Sequence, residues 1–75
     1  MPPFLIGDQV IVSVKGEKPW IGYVYRSRKR GRRTTYDVCS PNLFVNGTCD
    51  YEKAMRMDEP HHIATVEAKE LAHAK

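Results

Sequence analysis

Six cationic side chains lie within eight consecutive residues: Arg26, Arg28, Lys29, Arg30, Arg32 and Arg33, interrupted only by Ser27 and Gly31. Five are guanidinium groups, planar forks whose several donors match phosphate and carboxylate oxygens. Each phosphate that such a group neutralises releases counterions, so the run suits salt-dependent binding of a polyanion. Trp20, Tyr25 and Tyr36 flank the run and offer ring faces on which bases can stack. An acidic protein surface and plain solvent are the competing destinations, because short basic runs do not discriminate among them.

The other reactive side chains form weaker patterns. Cys39, Cys49, His61 and His62 are spaced C-x9-C-x11-H-H. Zinc fingers place their ligands in pairs two to four residues apart, and adjacent histidines on a strand point to opposite faces, so no metal site is expected. Asp8, Asp37, Asp50, Asp58 and Glu59 include no pair at a spacing diagnostic of acid–base catalysis. A chain of 75 residues also has little depth for a pocket, so no catalytic residue or cofactor is expected and the chain reads as a non-enzyme.

The charge is unevenly placed. Twelve Lys and Arg against nine Asp and Glu give +3; without the six of the basic run, six face nine and the rest of the chain stands at −3. The chain therefore reads as one small, mildly acidic domain over 1–75 with a single basic segment. Hydrophobic residues at 41% and charged residues at 28% suit a globular domain with a marginal core. No apolar run reaches the roughly 18–20 residues that span a bilayer. Met1-Pro2-Pro3-Phe4-Leu5-Ile6 lacks the pattern of a signal peptide, so a cytoplasmic location with reduced cysteines is expected.

The elements that position these residues read mostly as strands. Val10, Val12 and Val14 alternate after a Gly7-Asp8 turn and define a strand with one buried face. Trp20–Tyr25 is a second strand, with Trp20, Gly22 and Val24 on one face and Ile21, Tyr23 and Tyr25 on the other. A glycine inside a strand marks a bulge, a bend or a close backbone approach. Arg26–Arg33 reads as the connection to a third strand, Thr34–Cys39, with Tyr36 and Val38 inward. Asn46-Gly47 between β-prone triplets predicts a type I′ hairpin that pairs Val45 with Thr48 and Phe44 with Cys49. On a continued ladder Cys39 would lie about 16 Å from Cys49, too far for a disulfide unless the chain reverses at Pro41. Asn46-Gly47-Thr48 is also a glycosylation sequon, but without a signal peptide the turn explains those residues. One or two helical turns are expected over 52–59, a further strand over 61–66 and a short helix over 66–75.

Gly7-Asp8-x-Val10-x-Val12, Trp20-x-Gly22-x-Val24 and Tyr36-x-Val38 together resemble the SH3-like barrels of the Tudor and KOW type. The resemblance implies a Gly-Asp turn opening the first strand, a curvature-permitting glycine in the second and an interior filled by alternate Val residues. The same succession, with Ile63, Val66 and Ala68, is similar to the scaffold of plasmid-borne type II dihydrofolate reductases. That family's Val-Gln-Ile-Tyr pore segment is matched here by His62-Ile63-Ala64-Thr65, which lacks both Gln and Tyr, so the activity is not carried over.

The expected fold is thus all-β: a small SH3-like five-stranded barrel with an inserted hairpin or helical turn at about 41–60 and a short C-terminal helix. The expected role is binding of nucleic acid or a nucleoprotein through Arg26, Arg28, Lys29, Arg30, Arg32 and Arg33, with Trp20, Tyr25 and Tyr36 stacking. Nothing in the sequence separates RNA from DNA, and no motif for base-specific reading is present. Ile21, Tyr23, Leu43 and Phe44 are a second candidate surface, covered by the insertion, the C-terminal helix or another chain. On that alternative the chain is a protein-interaction module or small regulator, a viral one among the readings, that docks on a transcription or translation complex.

Overall fold

The computed structural model describes residues 4–58 and 61–74. Met1, Pro2, Pro3, Glu59, Pro60 and Lys75 lie outside the described residues, and with them the end of the helical turns expected over 52–59 and the last residue of the expected C-terminal helix.

Alternation decides the architecture. Five strands form one antiparallel sheet: β1 (Gln9–Val12), β2 (Trp20–Arg30), β3 (Arg33–Cys39), β6 (Ile63–Glu67) and β7 (Leu71–His73), in the order β6-β3-β2-β1-β7. Between β3 and β6 lie a two-stranded hairpin, β4 (Phe44–Val45) with β5 (Thr48–Cys49), and one short helix, α1 (Tyr51–Arg56). The sheet is not closed, because β6 and β7 are its two edges. They are nevertheless joined by a single 3-10 turn over Ala68–Glu70, so the sheet must coil until its edges converge at that corner. The concave face buries Phe4, Val10, Val12, Val24, Tyr36, Val38 and Val66, with Trp20, Ala64, Ala68 and Leu71 packed on the margin.

The expected turn chemistry is present. Gly7, at φ +96°, and Asp8 close a turn in which Leu5 N donates to Asp8 Oδ2 at 2.9 Å. Gly7 N donates to Val24 O at 2.8 Å, which ties the entry of β1 to the middle of β2. Asn46 (φ +50°) and Gly47 (φ +81°) both adopt the left-handed region of a type I′ turn, and Phe44 pairs with Cys49 and Val45 with Thr48. Asp50 caps α1 by accepting from Lys53 N at 3.0 Å.

Two expectations are corrected. The expected C-terminal helix is a strand: Leu71, Ala72 and His73 pair with Val12, Ile11 and Val10 of β1. Ala, Glu and Lys favour a helix intrinsically, but ten residues gain more from completing a ladder against β1 than from isolated helical turns. The basic segment is not a loop either. β2 runs through Arg30 and β3 begins at Arg33, leaving only Gly31 and Arg32 as the turn. Gly31, at φ +59°, stands first in that two-residue turn, as a type II′ hairpin requires.

Gly22 is a point of close backbone approach. A Cβ there would meet Cys39 O at 2.7 Å, Val38 Cγ1 at 2.8 Å and Trp20 Cζ3 at 2.6 Å. The carbonyl belongs to the neighbouring strand and cannot move without breaking the ladder. We expect Gly22→Ala to destabilise the domain by about 1–3 kcal/mol, the usual range for overpacking. Chemical denaturation checks this, and an unchanged midpoint would show that the sheet yields at this position.

Candidate functional site

A register shift in β2 builds the site. Val24 pairs with Val38 and Arg26 with Asp37, so Tyr25 is the extra residue of a β-bulge. Without it, Arg26 would share the face of Val24 and point into the core. With it, Arg26, Arg28 and Arg30 lie on the convex face, opposite Asp37, Thr35 and Arg33. Tyr25 turns to that face as well and is buried beneath the insertion.

Asp37 is the hub of the convex face. Its carboxylate is 3% exposed, yet it has polar partners on both oxygens. Arg28 Nη2 donates to Oδ2 at 2.7 Å and Thr65 Oγ1 donates to Oδ1 at 2.6 Å, while Arg26 Nε lies 3.9 Å from Oδ2. β2, β3 and β6 are thereby cross-linked on one face. Hydrogen bonding to this carboxylate raises the already high pKa of the Arg28 guanidinium, which stays charged throughout the accessible range.

Beyond this hub the hairpin protrudes. β1 pairs with β2 only as far as Tyr23, and β6 pairs with β3 only from Thr35. Lys29–Thr34 and Arg30–Arg33 are therefore pairs of a bare two-stranded ribbon. All six cations of the run are exposed. Arg33 reaches Glu67 at 3.1 Å, and Lys69 lies 3.7 Å from the same carboxylate. Lys29, Arg30 and Arg32 have no acidic partner among the described residues. Six cations against Asp37 and Glu67 leave the ribbon at +4. Arg30 stands directly opposite Arg33, a like-charge pair that weakens the hairpin in isolation. Arg28, Lys29, Arg30, Arg33 and Thr35 line a concavity of about 670 Å³ along the ribbon.

The aromatic residues expected to stack on bases are elsewhere. Tyr36 is fully enclosed, edge-on to Phe4 at a centroid distance of 5.5 Å. Tyr25 is 7% exposed and shares a 2.8 Å hydrogen bond between hydroxyls with Tyr51. Burial, reinforced by that bond, raises the pKa of Tyr25. Neither ring can receive a base without unfolding its core. Trp20 is half-buried and stacked on His62 at 4.6 Å, far from the ribbon tip.

The second candidate surface is largely consumed by the insertion. Leu43 is fully buried and is not an interface residue. Tyr23 stacks on Phe44 at 4.9 Å, and Tyr25, Cys39, Leu43 and Cys49 form a second small core on the convex face. Ile21 remains 48% exposed.

Sequence reasoning missed two features. Asp37 has no partner at a telling spacing, although a carboxylate in a strand opposite a basic run was the available signal. Cys39 and Cys49 are also much closer than a continued ladder implies. Pro41–Leu43 form a 3-10 turn that reverses the chain, and the two free thiols are buried in the same small core. Burial pushes the Cys39 thiol up to about 12, and burial likewise raises Cys49. Among the described residues no cluster of three or more His, Cys, Asp or Glu could hold a metal ion, and no helix is long and apolar enough to cross a membrane.

Two outcomes are expected. A protonated thiol is favoured by the fold, so the stabilisation is complete below the ordinary value near 9 and is lost as pH rises toward 12. Thiol reagents at neutral pH should label neither cysteine until denaturant is added; rapid labelling of the native protein would contradict the buried pair. Tyr36 Oη is buried without a hydrogen-bond partner among the described residues. Tyr36→Phe should therefore raise stability by about 1 kcal/mol in thermal or chemical unfolding, and a loss of that size would reveal a hidden partner.

Comparison with family models, curated proteins and solved structures returns no match for this chain.

Proposed function

We propose that this chain is a non-enzymatic SH3-like module that binds nucleic acid, alone or within a nucleoprotein assembly, through the ribbon at 26–33. The observation that carries the reading is a hairpin with six exposed cations and a net +4, whose end, with Lys29, Arg30, Arg32 and Arg33, projects beyond both neighbouring strands. Scattered charge suffices to keep a strand edge from aggregating. Here like charges are instead concentrated, and Arg30 and Arg33 oppose each other at an energetic cost that a bound polyanion relieves. The Gly7-Asp8 turn, the close approach at Gly22 and the alternating valine interior support the SH3-like reading. Arg26, Arg28 and Arg33 are held by carboxylates, so Lys29, Arg30 and Arg32 are the residues most available to phosphate.

The test is affinity for DNA and RNA as a function of salt. Each neutralised duplex phosphate contributes about −0.9 to the slope of log K against log salt, so the slope should fall between about −3 for Lys29, Arg30 and Arg32 alone and about −5 for all six. The triple variant Lys29→Ala, Arg30→Ala, Arg32→Ala lies outside both cores and should fold normally with a flattened slope. No binding at low salt, or binding unchanged in the triple variant, overturns the reading.

A second reading, docking on a protein, rests on a different observation: Ile21 and Ile63 stay 48% and 40% exposed on the convex side. Ile21→Ser with Ile63→Ser should abolish a defined protein complex that survives nuclease and high salt; a complex that persists unchanged in that double variant would exclude this surface.

A further inference from the structure

We infer that the ligand of the ribbon is a B-form DNA duplex, entered from its major groove. This rests on the nucleic-acid reading above and narrows it by what the side chains can and cannot do. Non-specific single-strand binding combines a cationic track with aromatic platforms on which successive bases stack. The tip of the ribbon has no such platform; one ring, Tyr51, stands 49% exposed near its base, held by the hydroxyl of Tyr25. Tyr25 and Tyr36 are buried in the two cores, and Tyr23 is stacked on Phe44. Trp20 lies ten residues before Arg30 on the same strand, about 33 Å away at the strand rise, and its ring is engaged with His62. A strand following the cations therefore meets guanidinium and ammonium groups and the single ring of Tyr51 at the base, not a succession of rings on which bases stack.

The shape of the ribbon points to a duplex. Its two strands lie about 4.8 Å apart, and beyond the last pairing with β6 at Thr35 it extends about 7 Å to the Arg30–Arg33 pair. The major groove of B-DNA is about 12 Å wide and 8.5 Å deep and admits a two-stranded β-ribbon. The reach of their own side chains, added to this bare tip, brings Lys29, Arg30 and Arg32 toward the groove floor, while Arg26 and Arg28, on the part flanked by β6, remain level with the phosphates at its rim. Asp37 positions those two: it holds Arg28 by a 2.7 Å bond and sets the direction of the base of the ribbon. At the floor, the Arg30 and Arg32 forks match the O6 and N7 acceptors of guanine. An A-form RNA duplex offers a deep, narrow major groove that side chains cannot read and a shallow minor groove that gives a ribbon no channel.

The test compares the intact protein on a DNA duplex, an RNA duplex of the same sequence and each single DNA strand, at one fixed low salt concentration. The DNA duplex should bind at least about tenfold more tightly than either of the others. Methylation of guanine N7, which fills the major groove, should weaken binding, and a minor-groove ligand should not compete. Equal or tighter binding to RNA duplex or single strand, or competition by the minor-groove ligand with indifference to N7 methylation, would falsify the major-groove inference and leave the nucleic-acid reading standing. Binding to none of the three ligands overturns both.

Discussion

A buried carboxylate on β3 holds the molecule's two halves together. Asp37 sits opposite the bulge at Tyr25, where β2 passes from the body of the sheet into the ribbon. At 3% exposure it would be costly if it stood alone. Arg28 and Thr65 satisfy its two oxygens, one from each flanking strand, so the cost of burial is turned into a three-strand clasp. The bulge and the clasp depend on one another. The extra residue brings Arg26 and Arg28 to the convex face, and the carboxylate gives that face a reason to receive them.

The clasp also explains how an amphipathic sheet carries a cationic extension without losing its register. A one-residue slip in a hairpin would send every side chain to the opposite face. Here a slip would drive arginines into the valine core and leave Asp37 without its partners, so the penalties reinforce each other. Further out, where only Lys29–Thr34 and Arg30–Arg33 remain, no such penalty operates. Rigidity therefore falls along the hairpin, from the clasped base to the repulsive tip.

The body of the fold was legible because burial imposes period two. Val10 and Val12, Trp20 and Val24, and Tyr36 and Val38 share the concave face as their alternation required. The Asn46-Gly47 turn was legible down to its pairing, because two successive left-handed residues admit few alternatives. The rest depended on distant partners. Leu71–His73 has helical propensity and becomes a strand only because β1 has an open edge beside it. The basic run has little intrinsic strand preference and is extended by its pairing with β3. The nearness of Cys39 and Cys49 follows from the reversal at Pro41, and the failure of Tyr25 and Tyr36 as stacking residues follows from cores that no local pattern announced.

The β1–β7 pairing has a consequence for how the chain reaches this state. Val10 lies opposite His73, so a contact near one end of the described chain must wait for a segment near the other. The β2–β3 hairpin, closed by a two-residue turn, is local and can form first. β1 can then zip onto β2, but it remains an open edge until the last strand arrives. Contacts of such sequence separation slow folding, because loop closure must precede any gain. The cationic hairpin can thus be complete while the edge of β1 is still open, and like-charge repulsion between copies then opposes their association along that edge.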